Sequence, residues 1–109
     1  MTTACTTEPW TALGDPTRRA IFESLVEHPQ AVRELAGQFP VSRPAVSQHL
    51  KVLKNAGLVG NRQAGKLRIY HVDPKGLAVL RAELERFWNR TLVAFKEVVE
   101  QPIKERQPL

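Results

Sequence analysis

Arg43, Ser47, Lys51 and Lys54 recur at i, i+4, i+8 and i+11, a spacing that places them along one stripe of a helix. Pro44 and Gln48 widen the same face, and Ser42 stands at its start. The chemistry such a face can do is non-covalent. Lys and Arg neutralise phosphates, while Arg and Gln carry donors and acceptors that match the edges of guanine and adenine. Arg43, Ser47 and Gln48 are therefore expected at base edges, and Lys51 and Lys54 at phosphates. Further on, Arg62, Lys66 and Arg68 surround a turn at Gly65, and Tyr70 adds a hydroxyl donor. These four are expected at the DNA backbone or in the minor groove. From Ser42 to His71 the chain holds six basic residues and no Asp or Glu, so this window alone exceeds the formal net charge of +5. The other ten basic residues face all eleven acids. A charge so one-sided is expected to attract a polyanion.

Other chemistries find little support. Glu83 and Glu85 stand at i and i+2 on a helical pattern and point away from each other, no Gly-rich loop precedes a helix, and no Ser, His and Asp set is suggested by spacing. Cys5, His28, His49 and His71 are scattered, with none at the i, i+3 or i+4 spacing of a metal site. Spacing leaves open only an intersubunit site involving Cys5. No metal and no cofactor are expected. A single cysteine cannot form an internal disulfide, Thr2 to Glu8 is too polar for a secretory leader, and no apolar run approaches the roughly 20 residues of a membrane span. A cytoplasmic protein without a membrane partner is expected.

The elements that must position these residues follow from periodicity and punctuation. Residues 1–8 read as a polar tail, 9–100 as one domain and 101–109 as a second tail. Pro9 to Leu13 predicts one or two helical turns ended by Gly14. Asp15 is an N-cap with Pro16 at the first helical position, and Ala20, Ile21, Phe22, Leu25 and Val26 predict a helix over 16–27. Val32 to Gln38 predicts a two-turn helix with Val32, Leu35, Ala36 and Phe39 on one face. Ser42 caps a third helix, over 42–56, whose Val46, Leu50 and Leu53 face the core and whose end at Ala56-Gly57 suits a left-handed cap. His49 falls near the core side, where packing or a hydrogen bond to a neighbouring helix is expected in preference to base contact. Leu58 to Arg62 and Leu67 to Val72 read as a hairpin joined by Gln63-Ala64-Gly65-Lys66. From Asp73 or Pro74 to about Glu100 runs a long helix, closed by Pro102.

Two short helices joined at Phe39-Pro40-Val41, then a basic hairpin, is the order of a winged helix-turn-helix, so the fold class expected is mainly α with a small β-hairpin. The second helix of such a motif lies in the major groove. The last helix, at about 1.5 Å per residue, spans about 40 Å, more than so small a domain covers. Its Leu80, Leu84, Phe87, Trp88, Leu92 and Phe95, with Trp10 and Leu13 from the first turn, are the expected homodimer surface through which terminal helices pair. A two-fold dimer would present two reading helices to a palindrome. A non-specific architectural or RNA-binding protein is the competing class. It would show backbone contacts without the base-reaching Ser47-Gln48 pair, and an RNA binder would expose stacking aromatics that the basic window lacks apart from Tyr70.

The run Ser42-Arg43-Pro44-Ala45-Val46-Ser47-Gln48-His49-Leu50-Lys51-Val52-Leu53, followed by Ala56-Gly57-Leu58-Val59, resembles the ArsR family of winged-helix repressors. The resemblance takes in Leu13-Gly14-Asp15-Pro16-Thr17-Arg18-Arg19, Val32-Arg33-Glu34-Leu35-Ala36 and the Gly65 to Tyr70 wing, and so covers about residues 9 to 100. It implies a dimeric repressor of an inverted-repeat operator in double-stranded DNA, often released by a metal ion. Metal-sensing members carry Cys-x-Cys on the helix before the reading helix, or Asp and His pairs on the last helix. Here Arg33 to Gly37 has no cysteine and no histidine follows His71. The chain is therefore similar to the branch without the metal-binding motif.

Overall fold

In the computed structural model the described residues are 8–100. The tails expected at 1–8 and 101–109, apart from Glu8, lie outside them, as does Cys5. The order is α1 (Pro9–Ala12), α2 (Pro16–Glu27), β1 (Gln30–Ala31), α3 (Val32–Ala36), α4 (Arg43–Asn55), β2 (Val59–Ala64), β3 (Leu67–Val72) and α5 (Pro74–Glu100). Helices dominate and carry a small antiparallel sheet, the winged helix-turn-helix arrangement.

Local chemistry sets the boundaries. The Asp15 carboxylate accepts the Arg18 N–H at 2.9 Å, and Pro16 follows at the position where a missing N–H costs nothing. Ser42 Oγ accepts the Ala45 N–H at 3.3 Å, making Ser42 the N-cap and Arg43 the first residue of α4. At the other end Gly57, with φ of 80°, closes a Schellman motif: its N–H donates to the Lys54 carbonyl and the Leu58 N–H donates to the Leu53 carbonyl. Ile21, Phe22, Leu25, Leu35, Val46, Leu50, Leu53 and Leu58 fill one core beneath the sheet, with Val32, Phe39, Tyr70 and Val72 around it.

The hairpin differs from its sequence reading. β2 runs on through Ala64, which pairs with Leu67, so the turn is the two residues Gly65-Lys66 rather than four. Gly65 at φ of 64° meets the positive-φ requirement of so tight a turn. A third strand, β1, pairs with β3 through Gln30–Tyr70 and Ala31–Ile69, giving the order β1-β3-β2. Two residues beginning with glutamine carry no strand periodicity. What holds them is a polar network: Gln30, only 1% exposed, donates through Nε2 to the Ser24 carbonyl and hydroxyl and accepts from Gln38 Nε2, while Ser24 Oγ donates to Gln38 Oε1.

The hydrogen bond from the Arg18 N–H, with the nearby Arg18 and His49 charges, holds the Asp15 carboxyl below its ordinary value. A folded-state pKa below the unfolded one stabilises the protein above the unfolded value of about 3.9, and this contribution is lost as pH falls through the folded value. Thermal melts between pH 2 and 5 are therefore expected to show a shallower acid limb in Asp15→Asn than in the parent; identical limbs would remove this role from Asp15.

Candidate nucleic-acid interface

Helix α4 turns Val46, Leu50 and Leu53 into the core, each with no exposed surface. The same register leaves Arg43, Pro44, Ser47, Gln48, Lys51 and Lys54 exposed on the opposite side, with Ser42 exposed at the cap. The exposed polar and cationic face thus follows from core burial: a 3.6-residue repeat that hides one stripe must present the other. His49 lies between the two, half-buried on the flank of the helix.

The wing distributes its cations over both faces. Residues directly opposed across an antiparallel pair share a face. Asn61, Gln63, Arg68 and Tyr70 lie on the side that bears Val59 and Val72, whereas Arg62 lies on the other with Ile69. Arg68 donates to Asn61 Oδ1 at 2.8 Å, which holds its guanidinium against the strand, and Gln63 Nε2 donates to the Gly65 carbonyl at the tip. Lys66 occupies the turn. Tyr70 is half-buried with its ring packed against the core, so its first duty is to anchor the base of the wing.

Between the start of α4 and the wing lies an open groove of about 500 Å³ bordered by Arg33, Arg43, Ser47, Lys66 and Arg68. Arg33, from α3, was absent from the sequence-derived set. It sits outside the acid-free window with Glu34 beside it, so charge counting passes over it. The Glu34 carboxylate, however, accepts the Ala31 N–H at 2.8 Å and serves the helix start. The described residues contain only two ion pairs, Arg81–Glu85 and Lys96–Glu100, both on α5 and both away from this groove.

Helix α5 carries Leu84, Phe87, Trp88, Leu92 and Phe95 exposed, and Trp10 of α1 meets Phe87 with ring centroids 5.5 Å apart. Leu13 and Leu80 are half-buried against the chain's own core, so part of their surface is already used within one subunit. Among the described residues no group of three or more His, Cys, Asp or Glu side chains could hold a metal ion, and no helix is long and apolar enough to cross a membrane.

Known proteins match this arrangement. Residues 15–60, from the α2 cap to the start of β2, match the model described as "Bacterial regulatory protein, arsR family". The chain is 58% identical over 91 residues to the HTH-type transcriptional regulator Rv2034 of Mycobacterium tuberculosis, covering 84% of this chain and 85% of that protein. It is 42% identical over 67 residues to the HTH-type transcriptional repressor SmtB of the same species, covering 62% of this chain and 50% of the repressor. A crystal structure of a possible transcriptional regulator for arsenical resistance superposes with a TM-score of 0.72 at 42% identity, over 82% of this chain and 97% of that one. With the fold, the exposed α4 face and these relatives in agreement, the chain belongs to the ArsR family of winged helix-turn-helix, DNA-binding transcription regulators.

Proposed function

We propose that the protein is a dimeric, sequence-specific repressor that binds an inverted-repeat operator in double-stranded DNA, its own promoter being the first place to look. The observation that carries this reading is the exposed face of α4, which combines base-reading groups (Arg43, Ser47, Gln48) with phosphate-binding ones (Lys51, Lys54) beside a cationic wing. A non-specific binder needs only the second set. In this reading α4 lies in the major groove, with Ser42 and Pro44 at its entry. The wing reaches the neighbouring minor groove edge-on, Arg62 on one face and Lys66 and Arg68 at the tip and the other, with the Tyr70 hydroxyl at its base. Trp10, Leu84, Phe87, Trp88, Leu92 and Phe95, with the exposed parts of Leu13 and Leu80, meet a second copy. No cofactor takes part.

Competitive gel shifts with the protein's own promoter region test the proposal. Preference for that duplex over unrelated DNA at moderate salt is expected; equal binding would make the protein an architectural one. Two substitutions separate the roles within α4. Gln48→Ala is expected to change which sequences bind, with a discrimination cost of about 1–3 kcal/mol at the affected base pair. Lys51→Ala is expected to weaken all duplexes alike and to reduce the slope of log K against log salt by about 0.9. If both variants behaved identically in a competition titration, α4 would not be the reading helix.

A further inference from the structure

The groove between α3, the start of α4 and the wing gathers four cationic side chains from three elements: Arg33, Arg43, Lys66 and Arg68. Among the described residues the one hydrogen bond these side chains make is that from Arg68 to Asn61, and neither ion pair involves any of them. Like charges brought to one concavity without a carboxylate repel one another, and an anion seated among them relieves that repulsion. Ala31, Val32, Pro44 and Leu67 complete the lining with apolar surface, and Leu67 remains 37% exposed there. A small inorganic anion has no use for this apolar part. A deoxyribose-phosphate does, because the sugar presents carbon–hydrogen surface while the phosphate carries the charge.

We propose that this groove seats the sugar–phosphate backbone of one DNA strand where it passes from the major groove held by α4 to the minor groove held by the wing, and that Arg33 is a phosphate contact within it. Val32 and Leu67 pack against the sugar, and Arg33 and Lys66 close on the phosphate from opposite sides. The inference rests on the DNA-binding reading above and adds to it a contact from α3, the helix that does not read bases. It also gives the wing a second purpose. Gln30 and Ala31 of β1 pair with Tyr70 and Ile69 of β3, so the same short strand that leads into Arg33 also anchors the wing, and the two halves of the groove are held as one unit.

The test is the salt dependence of binding to operator and to unrelated duplex, measured by fluorescence anisotropy for the parent 109-residue chain, Arg33→Gln, Arg33→Lys and Lys51→Ala. Arg33→Gln is expected to weaken both duplexes by the same factor and to lower the slope of log K against log salt by about 0.9, so that the parent's advantage shrinks about 3.5-fold between 50 and 200 mM salt. Arg33→Lys keeps the charge and is expected to restore the slope. Because Arg33 is exposed, unchanged thermal melts are expected for both variants. A parent-like slope in Arg33→Gln, with the slope of Lys51→Ala reduced, would overturn the groove and leave the α4 reading standing. A parent that binds no duplex would overturn both.

Discussion

Replacing Gly76 with alanine is expected to lower the melting temperature by about 4–16 °C, against the sign that helix propensity alone predicts. Gly76 lies in the first turn of α5, where exchanging glycine for alanine in an open helix is worth about 1 kcal/mol of added stability. Here the added Cβ would stand 1.9 Å from the Gly57 carbonyl oxygen, 2.6 Å from its carbonyl carbon and 3.0 Å from Leu58 Cα. All three are backbone atoms in the Schellman turn that ends α4, and the neighbouring Leu58 carbonyl accepts the Asp73 N–H at 2.9 Å, so neither partner can yield cheaply. Overpacking of this kind costs about 1–3 kcal/mol and more when backbone must move. The clash outweighs the propensity gain, and for a domain of this size each kcal/mol lost moves the midpoint by about 4–8 °C. Gly37 provides the contrast. It caps α3 in the right-handed helical region, and a Cβ there would meet nothing closer than 3.5 Å. Gly37→Ala is expected to leave the melt unchanged or to raise stability by about 0.4–1 kcal/mol. Equal behaviour of the two variants in thermal melts would mean that α5 does not seat on the α4 turn as described.

The second large effect concerns α5 as a pairing surface. Trp88 and Phe95 are 59% and 64% exposed in the single chain, and neither belongs to its core, so charging them should leave the subunit folded. In the double variant Trp88→Asp and Phe95→Asp, a dimer is expected to separate into monomers by sedimentation. Affinity for an operator with two half-sites is then expected to fall by about 10²–10⁴, because binding of the second half-site loses its effective concentration. Affinity for an isolated half-site should change far less. A double variant that stays dimeric, or one that becomes monomeric yet keeps operator affinity, would remove α5 from the proposed assembly.

Much of this organisation is written locally. Asp15-Pro16 and Pro29 mark the limits of α2 because capping and the missing proline N–H act within one turn. Ser42 and Gly57 do the same for α4, and the spacing of Val46, Leu50 and Leu53 dictates which side of that helix is left for Arg43, Ser47, Gln48, Lys51 and Lys54. The α5 helix is continuous from Pro74 to Glu100, the last described residue, along the apolar stripe that periodicity predicts. β1 was illegible, because two residues offer no period and Gln30 is retained by partners 6 and 8 residues away. The extra length of β2 was also hidden, since Gln63 and Ala64 are neither β-branched nor aromatic and join the ladder because β3 stands opposite them.

The sequence by itself determined the helices, the wing, the acid-free charge block and the exposed polar face of α4, all of which depend on interactions between residues a few positions apart. Only the tertiary structure decided that Arg33 joins Arg43, Lys66 and Arg68 around one groove, that Tyr70 anchors the wing with its ring, that Leu13 and Leu80 serve their own core, and that Gly76 must be glycine. Each of these depends on where distant segments meet. Gly76 and Gly57 are far apart in the chain, and nothing in the local pattern of either records a contact that exists only once α5 lies across the end of α4.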